Sequence, residues 1–158
     1  MKLTERERTN QLGCWGESKA ASLLKKAKFS AIRDLNKPKN HKFADIYAER
    51  NGVRYVIGVK TRNKFQASGP LNPTYNIQKK GADIDAVAKK YKAELAWVAL
   101  PVIPEIHTYW AYFGTMAQIV EKKERYSIPM KESDVLNYEC LADEEIDASL
   151  LAAWSNGG

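Results

Sequence analysis

The stretch FADIYAERNGVRYVIGVKTRNKF, residues 43–65, decides the fold of this chain. Asn51-Gly52 lies between two runs of alternating polarity, a strong local signal for a two-residue β-hairpin. With Asn51 and Gly52 at the centre of a type I′ turn, Arg50 pairs with Val53, Ala48 with Tyr55, Ile46 with Ile57 and Ala44 with Val59. The six residues from Ala44 to Val59 in those last three pairs share one face, the expected core side. The other face carries Asp45, Tyr47, Glu49, Arg54, Val56, Gly58 and Lys60. Asp45 is expected opposite Gly58, about 5 Å away, with Lys60 one step along. On a solvated face an Asp–Lys neighbour pair is an ordinary ion pair of little energetic weight.

A second carboxylate changes that weighing. Asn10 to Lys28 is expected as a helix, with Leu12, Ala20, Ala21, Leu23, Leu24 and Ala27 at helical spacing. Glu17 shares a face with Ala20, Ala21 and Leu24, three, four and seven residues on. A carboxylate on an apolar stripe needs a cation, a lysine or access to solvent. Phe29 to Leu35 is expected as a short strand or extended link. NKPKNHK, residues 36–42, forms a basic loop broken by Pro38, and residues 63–76, with Gly69, Pro70 and Pro73, form a long one.

Further along, Ala82 to Lys92 is expected as a second helix and Glu94 to Ile103 and Ile106 to Phe113 as aromatic-rich strands. Tyr126 to Met130 forms a short strand. Asp143 to Trp154 is expected as a terminal helix, because its acidic start suits a helix N-terminus. This order predicts an α/β layer fold with a mixed sheet in one domain, its core over about 10–113 and a C-terminal extension over about 114–158.

Charge points to the partner. The net charge is +6, and it is unevenly spread. Residues 1–64 carry 16 Lys and Arg against 6 Asp and Glu, a net +10, whereas residues 65–158 carry 9 against 13, a net −4. A basic half attracts phosphates, and the alternative is an ordinary solvated lysine surface. Cys14 and Cys140 form neither a zinc pattern nor a disulfide framework, so two reduced thiols in a reducing cytoplasm are expected. No apolar run reaches membrane-span length, and the first residues lack the core of a signal peptide. GxxxxGK[ST] and GxGxxG phosphate-binding loops are absent, and two histidines make neither a zinc cluster nor a nucleophilic triad. His107 is read as structural, and Trp97, Tyr109, Trp110 and Tyr112 as core or sheet-face residues.

Gly13, Gly16-Glu17 and Ala20-Ala21 in the first helix, the basic loop, ADIYA with Asp45, and VIGVKTR with Lys60 together resemble the PD-(D/E)xK nuclease superfamily. The likeness is greatest to its branch similar to Holliday-junction resolvases and restriction-like endonucleases. It covers residues 10–64 and extends to about residue 100. The resemblance implies a restriction-endonuclease-like α/β core, a mixed β-sheet flanked by helices. It further implies a DNA endonuclease dependent on Mg²⁺ or Mn²⁺. Asp45 would be the bridging metal ligand, Glu17 the helix carboxylate beside it, and the Val59 carbonyl a further donor. Lys60 would orient or deprotonate the attacking water. Phosphates would meet Lys37, Lys39, Lys42, Arg62, Lys64, Lys79 and Lys80, and bases would stack on His41, Phe65 and Tyr75. By analogy the protein would be a homodimer, cytoplasmic and associated with the nucleoid.

Gly58 departs from the pattern, because the superfamily places an acidic residue two positions before the lysine. The chain is then an inactive relative, a variant stripped of the acid, or a nuclease in which another residue supplies the oxygen. Asp83, Asp85 and Gln78 are the candidates, whereas Glu49 lies four strand steps from Asp45, roughly 13 Å. The alternative functions are a catalytically inactive nuclease-like DNA-binding protein and a protein-interaction scaffold.

Overall fold

A computed structural model describes residues 3–36, 44–62, 74–78, 84–103, 106–119, 125–130, 136–147 and 149–150. The chain opens with helix α1 (Glu5–Lys26). It starts earlier than Asn10 because Thr4 and Glu7 form a capping box: the Glu7 amide donates to Thr4 Oγ1 at 3.1 Å and the Thr4 amide to Glu7 Oε2 at 2.7 Å. Strands β1 (Ser30–Asp34), β2 (Ile46–Arg50) and β3 (Val53–Arg62) follow. Then come β4 (Thr74–Gln78), helix α2 (Ile84–Tyr91), β5 (Glu94–Ile103), β6 (Thr108–Thr115), a 3₁₀ turn (Met116–Gln118), β7 (Arg125–Pro129) and β8 (Glu139–Glu145).

Six strands make one mixed sheet in the order β1-β2-β3-β5-β6-β8, and β4 pairs with β7 in a separate two-stranded sheet. Within the large sheet only β3 and β5 run parallel, and α2 lies in the crossover that a parallel pair requires. Asn51 and Gly52 have φ of 53° and 79°, the left-handed values that a type I′ turn demands.

The hairpin register is the expected one from Arg50↔Val53 to Ile46↔Ile57. It then breaks. The Asp45 amide donates to the Ile57 carbonyl at 2.9 Å, so the ladder slips by one residue and the expected Asp45–Gly58 and Ala44–Val59 pairs do not form. The expectation of a single core side is also corrected. Ile46, Ala48 and Ile57 pack beneath α1 with Leu12, Ala20, Leu23 and Leu24. Tyr47 and Val56, on the opposite face, pack with Val87, Trp97, Ala99, Tyr112, Ile128 and Met130. The hairpin belongs to a sheet covered on both faces, so its second face is buried too.

The expected terminal helix beginning at Asp143 is a second correction. Residues 143–145 are in β8, where Asp143 pairs with Trp110, Glu144 with Tyr109 and Glu145 with Thr108. The acidic run dresses the exposed edge of the sheet, where charge discourages pairing with another strand. Helical backbone appears later, at 149–150, and 151–158 lie outside the described residues. Of the expected loop 63–76, residues 74–76 belong to β4 and 63–73 lie outside the described residues. The sheet curls enough that Arg50 at the hairpin end reaches Glu139 of β8, four strands away, through hydrogen bonds of 2.7 and 2.5 Å.

Helix α1 lies against β3 because Gly16 has no side chain. A Cβ built there would stand 1.9 Å from Thr61 Oγ1 and 3.1 Å from Thr61 Cβ. Gly16→Ala therefore forces the helix or Thr61 to shift. Overpacking costs about 1–3 kcal/mol, of which the better helix propensity of alanine returns about 1 kcal/mol. A net loss of roughly 1 kcal/mol in urea melts is the expected result. Adding Thr61→Ala should recover most of it, as a double-mutant cycle would show. A stability gain for Gly16→Ala alone would contradict this close approach.

Candidate active site

The slip in the hairpin builds the site. Beyond Ile46 strand β2 leaves the ladder, and the Val59 amide of β3 has no main-chain carbonyl opposite it. The Asp45 side chain supplies the acceptor: its Oδ2 takes the Val59 N–H at 2.7 Å. Its main chain is tied as well, the amide to the Ile57 carbonyl and the carbonyl to the Leu35 amide, each at 2.9 Å. Ile57 and Val59 are two residues apart, so both direct their N–H and C=O groups toward the same strand edge. The Val59 carbonyl thus faces the Asp45 side of β3.

Glu17 reaches this place from α1, one residue after the glycine that lets the helix approach. Asn36 sits between the two acids. Its Nδ2 donates to Asp45 Oδ1 at 2.9 Å and to Glu17 Oε1 at 3.3 Å, and its own amide donates to Asp34 Oδ1 at 2.8 Å. Glu17 is half-buried, and its carboxyl is pushed up to about 7. Burial is the largest cause; the charge of Asp45, a hydrogen bond to Asp45 and the charge of Asp34 add to it, and the Asn36 hydrogen bond opposes it. Two carboxylates this close cannot both ionise cheaply without a cation. The place holds a proton near neutral pH.

Lys60 comes to the same end of β3 from the opposite face. It pairs with Ala99, Gly58 with Trp97 and Arg62 with Pro101 across the parallel ladder. Gly58 is buried there, next to a Trp97 with no exposed surface. The slip removes Asp45 from the face it was expected to share with Gly58 and Lys60. Its carboxylate lies instead along the strand edge, capping the amide that immediately precedes Lys60.

Glu17 and Asp45 are therefore brought together, Val59 adjoins them, and Lys60 and Arg62 follow on β3. Lys37, Lys39, Lys42, Lys64, Lys79 and Lys80 lie outside the described residues, as do His41, Phe65 and Asp83 and the side chains of Tyr75, Gln78 and Asp85. Among the described residues no group of three His, Cys, Asp or Glu is arranged to hold a metal ion. Asn36 and Asp34 escaped the sequence reading. Their signal was an Asp-x-Asn turn directly after a strand, a pattern in which the Asp side chain takes the amide two residues on.

No family model and no curated protein matches the sequence. The fold is the α/β, restriction-endonuclease-like one, a mixed sheet flanked by helices. In particular, the chain is similar to the solved structure of Hjc from Archaeoglobus fulgidus, a Holliday junction resolvase from an archaeal hyperthermophile, with a TM-score of 0.51 and 17% identity. The match covers 79% of this chain and 96% of that one. At that identity the likeness is one of fold. No helix among the described residues is long and apolar enough to cross a membrane.

Proposed function

We propose that this chain is a metal-dependent endonuclease that hydrolyses DNA phosphodiester bonds. The observation that carries the reading is the Glu17–Asp45 pair, drawn together at the slipped end of the hairpin within a nuclease fold. Its donors fit a hard cation: carboxylate and carbonyl oxygens suit Mg²⁺ or Mn²⁺, which retain several waters and need few protein ligands. Asp45 and Glu17 would hold the ion, with the Val59 carbonyl on the same strand edge. Once bound, the ion supplies Lewis acidity and positive charge at the scissile phosphate. Lys60 orients the attacking water and steadies the charge that develops on the phosphate. Arg62 and the basic residues Lys37, Lys39, Lys42, Lys64, Lys79 and Lys80 contact neighbouring phosphates, which position the DNA without reading its sequence.

Gly58 offers no carboxylate, and that favours a second reading, a DNA-binding protein that uses the same basic surface without cutting. Incubation with four-way junction, linear duplex and single-stranded DNA, with Mg²⁺ or Mn²⁺, separates the two. Cutting that a chelator stops is the expected result, with the junction tested first because the structural neighbour is a junction resolvase. Salt-sensitive binding with no product in either metal would transfer the chain to the second reading.

A further inference from the structure

We propose that Asn36 is the third oxygen donor of the cation site, beside Asp45 and Glu17. This rests on the nuclease reading above. Asn36 Nδ2 already stands between the two acids, 2.9 Å from Asp45 Oδ1 and 3.3 Å from Glu17 Oε1. That –NH₂ group places partial positive charge between the two facing acids. A divalent ion in the same place repels an N–H aimed at it and attracts a carbonyl oxygen. A carboxamide offers both ends on one flat group, and its terminal torsion is soft. A half-turn exchanges Oδ1 for Nδ2 without moving the main chain.

The main chain is also tied to the site. The Asn36 amide is held by Asp34 Oδ1 at 2.8 Å, and the preceding Leu35 amide donates to the Asp45 carbonyl at 2.9 Å. Asn36 thus stays in reach of the ion whichever way its amide faces. Gly58 has no side chain, and strand alternation places it on the face of Trp97, away from α1. Asp45, Glu17 and Asn36 together give three side-chain oxygens, a number that suits an ion keeping several waters.

The test is calorimetric titration of metal-free full-length protein with Mn²⁺, for wild type, Asn36→Ala and Asn36→Asp, each checked by thermal melt. Asn36→Ala is expected to weaken Mn²⁺ at least tenfold, and Asn36→Asp to bind as tightly as wild type or more tightly. The Asn36 side-chain amide resonances are expected to shift on Mg²⁺ addition, as they lose the carboxylate hydrogen bonds. Equal losses for Asn36→Ala and Asn36→Asp would show that the amide acts only as a hydrogen-bond donor and would overturn the proposal. So would Asn36→Ala within twofold of wild type while Asp45→Asn loses binding, a result that leaves the nuclease site standing. If Asp45→Asn also binds Mn²⁺ normally, the cation site itself is misplaced and both readings fall.

Discussion

Asp45→Asn is expected to weaken Mn²⁺ binding by a hundredfold or more in calorimetry and to stop metal-dependent cutting, while leaving the fold intact. The asparagine carbonyl can still accept the Val59 N–H that Asp45 Oδ2 takes at 2.7 Å, so the strand end keeps its cap. What disappears is the negative charge facing Glu17. Normal metal affinity in Asp45→Asn would remove Asp45 from the site. The same pair sets a pH dependence. With the Glu17 carboxyl at about 7, the ion must displace a proton at lower pH. Affinity is expected to rise by nearly tenfold per pH unit below 7 and to level off above it. Glu17→Gln should flatten that profile.

The metal-free protein carries the opposite sign. The folded-state value for Glu17 lies above its ordinary 4.5, so the folded state binds the extra proton between 4.5 and about 7. That contribution is complete below pH 4.5 and is lost as pH rises through 7. Glu17 is only half-buried, so solvent screens the pair and the contribution is cut to about 1 kcal/mol. Melts without metal should fall from pH 5.5 to pH 8 more in wild type than in Glu17→Gln, and Mg²⁺ should restore the wild type at pH 8. Parallel pH profiles for the two proteins would refute this linkage.

Lys60→Ala is the second large effect: cutting is expected to drop roughly a thousandfold, with DNA affinity within about threefold at fixed salt. Lys60 follows directly after the amide that Asp45 caps, and the reading gives it the attacking water and the developing phosphate charge. One lysine among many contributes little to overall phosphate attraction in a basic half of net +10. A collapse of DNA affinity in step with cutting would make Lys60 a binding residue instead. Single-turnover cleavage and filter binding on the same DNA distinguish the outcomes.

Local chemistry sufficed for much of the fold. The Asn51-Gly52 turn set five correct pairs of the hairpin, because φ above zero at both central residues allows only that turn to close there. The strand at Glu94–Ile103 was legible from its apolar run, and that at Thr108–Thr115 from an aromatic run expected over Ile106 to Phe113. The end of the chain was not. Acidic residues at 143–145 suit a helix start and an edge strand equally well, and only pairing with β6 chose between them. Asp45 was expected on the face of Gly58 and Lys60, and its direction was not legible. Alternation carries each side chain to a fixed face only while the ladder holds, and the Asp45–Ile57 bond breaks it by one residue.

The residues themselves, then, specify an α/β chain with a basic first half, a tight hairpin and acids in α1 and at the start of β2. Their meeting is a matter of packing. Gly16 admits Thr61 and brings α1 onto β3, the slipped strand end turns Asp45 toward Glu17, and a turn after β1 lays Asn36 between them. Contacts among segments 9 to 45 residues apart depend on how whole elements stack, and no local preference encodes that distance.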